Sequence, residues 1–375
     1  MMPSVVRGPA RPLLLLLATG LGAACGLGDR GTVIFPPGGL ALDSTGRQER
    51  VLVRDTLLRL RSVGGRSDQD TTFINPYIMT GDGNRLYLVE TDNRILCLDT
   101  LGAVRWTQGK EGGGPGEYRN PRDLKVGPDG RLWVLDPASG RITTLDRGTG
   151  KVTAMIRMRL AYSPMIVPLR DRFALFSPDP PADISWFTAT GDTLRADSLP
   201  WSGYHEIEPL SRQFRTALDP RTGRWVFAFI YGNGWFAFDS TGKGSERRYY
   251  VEPTRFPPVL RQVRGDAVAT SLIRVPGSAL DVQLAGDTVF VLFDGQAPDR
   301  RQKVDMYSWE SGKYFGSFLL PEPADNIAVS GSLLSVYASN PVPKLTFYRR
   351  PVESLNLGLS APRRRRSSRR SGFPG

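Results

Sequence analysis

The sequence predicts an all-β protein: a six-bladed β-propeller of four-stranded antiparallel blades, in which an N-terminal strand closes the ring. Three observations lead to this prediction. The 375 residues include 41 glycines and 30 prolines, a turn-rich composition expected of many short strands. Repeated segments share one order of turns and apolar strands, and no long amphipathic helix is evident.

Residues 1–24 have the features of a signal peptide. Arg7 and Arg11 precede an apolar stretch, residues 13–24, that is shorter than the roughly 20 residues of a membrane span. The small residues before Cys25 resemble the lipobox of bacterial lipoproteins, in which this cysteine is lipidated. We therefore expect a lipid anchor at Cys25 and a periplasmic or outer-membrane-anchored protein; plain secretion and an uncleaved anchor are the alternatives. Residues 25–50 are predicted to be a linker.

The repeated units define the propeller. They occupy residues 81–104, 127–152, 170–194, 219–244, 285–315 and 330–350. Most steps between them are about 40 to 50 residues long, the length of one four-stranded blade. The longer step between the fourth and fifth units predicts an insertion within 246–277. The later units are degenerate, so that five or seven blades remain open.

The composition of each strand indicates its depth in the fold. Residues 132–135 are continuously apolar, which predicts burial on both faces. Residues 141–145 are more mixed and are predicted to lie near the rim. Since the last unit ends near Tyr348 without a fourth strand, residues 57–63 are predicted to supply it and to remove an exposed sheet edge. This assigns the propeller to 51–352, although 47–61 is compatible with either helix or strand.

A glycine-rich stretch at 109–123, GKEGGGPGEYRNPRD, has the composition of a phosphate-binding loop. Such a loop needs a helix directly after its glycines, so that the phosphate meets the helix N-terminus. Here Pro115 and Pro121 disfavour a helix, and residues 123–126 have the pattern of a strand. No Gly-Lys pair is followed by Ser or Thr at P-loop spacing. These features argue against a nucleotide site.

The same stretch and the strands after it resemble the NHL-type repeat of six-bladed propellers. The match consists of Gly-Pro-Gly-Glu-Tyr at 114–118, Pro121, Asp129-Gly130 and Arg141-Ile142. It covers 75–152, and the chain up to about 350 shares only the architecture. The resemblance implies that the glycine-rich link joins one blade to the next and that Glu117 binds backbone amides. The chain is also similar to six-bladed lipoproteins of bacterial envelopes, which implies a binding role but no particular ligand.

The reactive residues exclude several kinds of catalytic site. His205 is the only histidine, and Cys25 and Cys97 are the only cysteines, so a zinc site of mixed His and Cys cannot be assembled. There is no Gly-x-Ser-x-Gly motif, and Cys97 lies in an apolar strand, where we expect a buried, unreactive thiol. We expect no cofactor. Calcium is the one metal whose oxygen ligands the loops could supply, as in lactonase-like propellers.

The candidate ligand site is the channel mouth, where the innermost strand of each blade begins. A polar ligand site at this point is the default expectation for a propeller, but turn formation accounts for the same residue types. Two loops could also recognise a ligand, at 178–183 and at 201–208, with plain packing as the alternative. The predicted channel-mouth residues are Asn75, Tyr77, Asn120, Arg122, Asp123, Asp281, Asp325 and Asn326.

The formal net charge of +12 is concentrated in the signal and in the arginine-rich tail, 353–375. The folded body is nearly balanced in charge, so we expect no nucleic-acid partner, and membrane contact only through the lipid anchor. We predict that the tail is disordered; contact of the tail with anionic lipid or polysaccharide is the alternative. The predicted function is non-catalytic binding or scaffolding of a protein or glycan in the envelope. The alternative is a calcium-dependent hydrolase or lyase of the lactonase type.

Overall fold

The computed structural model describes residues 30–36, 44–53, 57–65, 73, 75–160, 164–177, 183–264, 267–296 and 298–351. Over these residues the secondary structure is strands with three short 3-10 helices, and it contains no α-helix. No helix in this part of the chain is long and apolar enough to cross a membrane. Cys25, the predicted signal, the linker residues 26–29 and 37–43, the loop at 178–182 and the basic tail lie outside the described residues.

The first half of the chain contains three four-stranded antiparallel sheets, and the two strands that precede them belong to other sheets. Two strands come first, β1 (Arg30–Ile34) and β2 (Leu58–Gly64). Sheet 1 contains β3 (Pro76–Gly81), β4 (Arg85–Glu90), β5 (Ile95–Asp99) and β6 (Val104–Gln108). Sheet 2 contains β7 (Asp123–Val126), β8 (Arg131–Asp136), β9 (Arg141–Asp146) and β10 (Val152–Arg157), with a 3-10 turn at Pro137–Ser139. Sheet 3 contains β11 (Met165–Pro168), β12 (Arg172–Phe176), β13 (Ile184–Thr188) and β14 (Thr193–Asp197).

The second half of the chain continues the pattern after two 3-10 helices, Ser202–Glu206 and Pro209–Ser211. Sheet 4 has three strands, β15 (Phe214–Leu218), β16 (Trp225–Phe229) and β17 (Trp235–Phe238). A hairpin of β18 (Val259–Arg264) and β19 (Ala267–Leu272) follows. Sheet 5 contains β20 (Asp281–Ala285), β21 (Thr288–Phe293), β22 (Lys303–Ser308) and β23 (Tyr314–Leu319). Sheet 6 contains β24 (Asn326–Ser330), β25 (Leu333–Ala338) and β26 (Lys344–Arg349), and its fourth strand is β2.

The sheets pack face to face in sequence order. The first strands of sheets 1 to 6 contact one another in turn, and β24 of sheet 6 contacts β3 of sheet 1. Within the described chain, each hydrophobic cluster is built by two neighbouring sheets, including one shared by sheets 6 and 1. Burial between two sheets explains why Leu132–Leu135 are apolar at every position. The prediction that 141–145 lie near the rim is wrong: this part of β9 is buried, because β10 lies outside it in the sheet.

In sheets 1, 2 and 4 the turn after the third strand has the same hydrogen bonds, as the pattern of an Asp followed by a glycine turn predicts. Asp146, at the end of β9, accepts hydrogen bonds from the backbone amides of Gly148 (3.1 Å) and Thr149 (2.8 Å). The turn closes with Gly150 at φ +74°, a left-handed conformation that glycine adopts without strain. Asp99 and Asp239 make equivalent bonds in sheets 1 and 4.

Chain segments outside the repeats pack on sheets 4 and 5. The extra length predicted within 246–277 forms the β18–β19 hairpin, which pairs with β1 in a small sheet of its own. Thus part of the predicted linker, Arg30–Ile34, is a strand. Further along, Arg50 makes a bidentate pair with the buried Asp305 (Nε–Oδ1 2.8 Å, Nη2–Oδ2 2.9 Å) and also contacts Glu252. This pairing fixes residues 48–53 against β23, where Leu52 bridges to Ser317.

Candidate functional site

A cavity of about 370 Å³ lies where the first strands of the sheets begin. All six sheets contribute to its wall, from β3, β7, β11, β15, β20 and β24. Its floor is crossed by Gln283 of sheet 5, whose side-chain amide reaches the carbonyl of Met79 in sheet 1 at 3.5 Å. The cavity is therefore the open end of the space that the first strands surround.

Five of the predicted residues line this cavity, namely Tyr77, Arg122, Asp123, Asp281 and Asn326. The other three, Asn75, Asn120 and Asp325, do not line it and serve the surrounding turns. Asn75 accepts a hydrogen bond from the hydroxyl of Tyr337 (3.2 Å), and the backbone N–H of Asn120 donates to Asp136 (3.1 Å). Asp325 accepts from Arg301 (2.8 Å) and from the backbone amide of Ser339 (2.7 Å).

Two of the cavity carboxylates join neighbouring sheets. Asp123 opens β7, and its Oδ2 accepts from the backbone amide of Ile166 in sheet 3 at 2.9 Å, while its Oδ1 accepts from Lys125 Nζ at 2.6 Å. Asp281 opens β20, and its Oδ2 accepts from the amide of Ile327 in sheet 6, also at 2.9 Å. Each carboxylate also accepts from the amide of the following residue. The two side chains therefore hold one sheet to the next.

Three further side chains at the same level make equivalent connections through backbone carbonyls. Tyr77 donates its hydroxyl hydrogen bond to Pro121 of the link into sheet 2 (2.7 Å). Arg215 donates from Nε to Leu280 at the start of sheet 5 (3.2 Å). Asn326 donates from Nδ2 to Pro76 at the start of sheet 1 (3.4 Å). Much of the polarity predicted at the channel mouth thus serves to join the sheets.

Burial shifts the pKa of two groups in the wall. Burial raises the pKa of the Asp281 carboxyl above its ordinary 3.8, against the opposing effects of the Ile327 amide and of Arg215. Burial also raises the pKa of Tyr77 to about 12, against the opposing charge of Arg122. The Tyr77 hydroxyl therefore stays protonated at neutral pH and acts as a hydrogen-bond donor.

Positive charge outnumbers negative charge in the lining. The cationic side chains are Arg122, Lys125, Arg212 and Arg215, and the anionic ones are Asp123 and Asp281. Arg212 is buried; it donates from Nε to the carbonyl of Ile207 (2.6 Å) and lies 4.9 Å above the Tyr204 ring. Arg122 is exposed at the rim.

Sequence reasoning missed the contribution of residues 209–216 and of Lys125 and Gln283. The fourth repeat was recognised only from Asp219 onward, so that the strand before this turn was not assigned to the channel. The repeat pattern could have identified this strand, because Phe214 begins the strand before the turn of the fourth unit just as Asp123 begins the strand before the turn of the second. Extending the register backwards would have placed Arg215 and Thr216 at the same level as the predicted residues.

The loop at 201–208 is packed into the fold. Trp201 is half-buried against Tyr204, Phe229 and Phe256, with ring centroids 5.3 to 6.4 Å apart. His205 Nε2 lies 3.5 Å from Oδ2 of the buried Asp183, which also accepts from the Leu199 amide at 2.8 Å. Packing therefore accounts for the aromatic residues of this loop.

A metal site and a reactive thiol are the two other kinds of functional site considered in the sequence. Among the described residues no group of three His, Cys, Asp or Glu side chains is placed to hold a metal ion. Cys97 is buried in β5, and burial raises the pKa of its thiol to about 11. A protonated, enclosed thiol is a poor nucleophile.

Comparisons with known proteins support the fold. No family model and no curated protein matches the sequence. Among solved structures, a member of the duf4221 family from Bacteroides vulgatus is 10% identical, with a TM-score of 0.50, over 81% of this chain and 98% of that one. The Cps50 (Swd1) β-propeller domain of Myceliophteria thermophila is 13% identical, with a TM-score of 0.46, over 79% and 100%. Virginiamycin B lyase from Staphylococcus aureus is 12% identical, with a TM-score of 0.43, over 78% and 99%.

At 10% identity, the similarity to the duf4221 structure indicates the fold and not the function. Together with the face-to-face packing of four-stranded antiparallel sheets, the similarity to the duf4221 structure shows that the chain has a β-propeller fold.

Proposed function

We propose that the chain is a six-bladed β-propeller that binds a protein or glycan ligand at its channel mouth as a non-catalytic binding or scaffold module. Two observations support six blades. The first strands of sheets 1 to 6 contact one another in a cycle, and a hydrophobic cluster fills the space between sheets 6 and 1. The pairing of β2 with β26 supports closure of the ring by an N-terminal strand.

The proposed location is the bacterial envelope, with a lipid anchor at Cys25. The support is the sequence of residues 1–25 and the NHL-like repeat at 75–152. Replacement of Cys25 by Ser should abolish labelling with an alkyne-tagged palmitate and release the protein from the membrane fraction. Unchanged labelling or unchanged membrane retention of the Cys25→Ser variant would contradict the anchor.

The observation that carries the binding proposal is the cavity at the start of the first strands. Every sheet contributes to its wall, and its size falls at the lower end of the range for ligand pockets. Its two carboxylates are occupied by backbone amides, and Asp123 also by Lys125, so that neither is placed to act as a free general base. The wall is therefore suited to recognising a ligand.

Site-specific photo-cross-linking in intact cells tests the proposal. Gln213 is exposed and lines the cavity, so a photoreactive residue at this position should capture the ligand. Lys151 is exposed at the opposite end of sheet 2 and serves as the control. Equal capture at both positions, or capture at Lys151 alone, would contradict a ligand site at this mouth.

The alternative function, a calcium-dependent hydrolase or lyase, has one observation in its favour: Asp123, Asp281 and Asn326 surround the same cavity. Calcium would have to compete with the amides and the lysine that already bind these carboxylates. A thermal melt of the exported protein with calcium and with chelator decides the matter. A ligand at about 100 times its Kd adds about 2.7 kcal/mol to stability. A calcium-specific rise in the melting midpoint would therefore favour the hydrolase or lyase, whereas no rise is expected from a non-catalytic binding propeller.

A further inference from the structure

The guanidinium groups of Arg122 and Arg215 have terminal nitrogens without a hydrogen-bond partner among the described residues, whereas the other two cations of the cavity wall are bonded. Lys125 is paired with Asp123, and Arg212 is bonded to backbone carbonyls. Arg122 makes no hydrogen bond or ion pair through its side chain to any residue that the structure describes, although it belongs to the cavity wall. Arg215 uses Nε on the Leu280 carbonyl, which leaves its two terminal nitrogens without a partner in the described chain.

A third polar group in the wall is also unsatisfied. The Thr216 side chain is 4% exposed, lines the cavity and has no hydrogen-bond partner among the described residues. A buried hydroxyl without a partner is unfavourable, and in native proteins a ligand, an ion or an ordered water usually completes it. Thr216 follows Arg215 on β15, and because side chains alternate along a strand, the two line the cavity from opposite faces of β15.

Apolar side chains also line the cavity. They come from three of the six sheets, from the 3-10 helix that precedes β15 and from the residue after β16, and they are Ile78, Met79, Met165, Leu210, Phe214 and Ile230. A cavity with both apolar area and free guanidinium groups is complementary to a molecule that carries an anion on an apolar body. A fully hydrated inorganic anion or a neutral glycan would leave the apolar area uncovered.

We propose that this cavity binds a carboxylate attached to an apolar group, with Arg122 and Arg215 as its partners. The planar fork of a guanidinium matches the two oxygens of a carboxylate, and in a partly enclosed site such bonds are strong. A peptide that ends in an apolar residue with a free C-terminus has this chemistry. The inference rests on the proposed ligand site and names the ligand class for it.

The test compares N-acetyl-leucine with its neutral isostere N-acetyl-leucinamide by calorimetric titration into the purified protein. We expect the acid to bind more tightly than the amide by about tenfold or more, and its affinity to fall with salt. Arg122→Gln should remove this preference. Arg119→Gln is the matched control, because Arg119 is also exposed and lies on the same link but not in the cavity wall. Folding of each variant is verified by its urea midpoint.

The outcomes separate this inference from the proposed function. Equal binding of acid and amide, loss of binding in Arg119→Gln as severe as in Arg122→Gln, or no binding of either probe would overturn the carboxylate inference. Tighter binding of inorganic phosphate than of the acid would overturn it in favour of an inorganic anion. If cross-linking at Gln213 still succeeds, the channel-mouth function survives these results; if it fails as well, both are wrong.

Discussion

The connection made by Asp123 gives the sharpest prediction about stability. Its carboxylate is almost fully buried between sheets 2 and 3, where it binds Lys125 Nζ at 2.6 Å and the Ile166 amide at 2.9 Å. The Lys125 side chain is itself only 11% exposed. Asp123→Ala therefore leaves a buried ammonium without its paired carboxylate and the backbone amides of Leu124 and Ile166 without an acceptor.

These two losses have different sizes. Removing one partner of a buried ion pair costs about 3–5 kcal/mol, because the other charge stays desolvated. An unsatisfied amide costs about 1–3 kcal/mol. In Asp123→Ala/Lys125→Met the stranded charge is gone, and only the amides lose their acceptor. The double variant should therefore be more stable than Asp123→Ala by about 2 kcal/mol, although it carries one more substitution.

Urea denaturation of the wild type, both single variants and the double variant measures this coupling. The free energies of unfolding should place the double variant between the wild type and Asp123→Ala. The reasoning would be refuted if the two single effects simply added, since Lys125 would then be solvated well enough to lose its partner without cost. A loss below 1 kcal/mol in Asp123→Ala would refute it as well.

Three further predictions concern other buried groups. Burial raises the pKa of Asp281, so the stability that its protonation contributes is complete below pH 3.8 and is lost as the pH rises through the raised pKa. In urea titrations the stability of Asp281→Asn relative to the wild type should therefore increase with pH above about 4. A difference that stays constant with pH would contradict this. Gly150→Ala should lower the free energy of unfolding more than Gly130→Ala does. Both glycines have a positive φ (+74° and +78°), but only at Gly150 would the new Cβ meet the Trp106 ring, at 2.7 Å, and this overpacking adds about 1–3 kcal/mol to the backbone strain that both variants share. Equal urea midpoints would show that the Trp106 ring moves aside. Cys97, whose pKa burial raises to about 11, should resist iodoacetamide at pH 8 until urea unfolds the chain, as peptide mass spectrometry will show; rapid labelling of the native chain would contradict this burial.

The repeating part of the fold could be predicted from the sequence, because the patterns that indicate it are local. The Asp–Gly turns, the continuously apolar strands and the link tied by Glu117 all depend on neighbours within a few residues. The predicted role of Glu117 is confirmed, since its Oε2 accepts from the Gly114 amide at 2.8 Å. Composition alone misjudged residues 141–145, because their burial depends on β10 and on the adjoining sheets.

The candidate site was predicted in part, since its residues come together only through the ring. Counting strand starts placed Asp123 and Asp281 at one cavity, but nothing local shows that their oxygens bind amides 43 and 46 residues further along the chain. Arg215 was missed because its repeat is degenerate before Asp219. Asn75 and Asp325 have the polarity of ligand residues but bind Tyr337 and Arg301 instead.

The pairing of β2 with β26 also has a consequence for the order of folding. Ser62 and Thr346, which share a hydrogen bond across these strands, are 284 positions apart in the sequence. β2 is therefore synthesised long before its partner β26, and sheet 6 can form only after β24, β25 and β26 have emerged from the ribosome. Until then β2 has no partner and the face between sheets 6 and 1 is incomplete, so the loop-closure entropy of the whole domain falls on the last step.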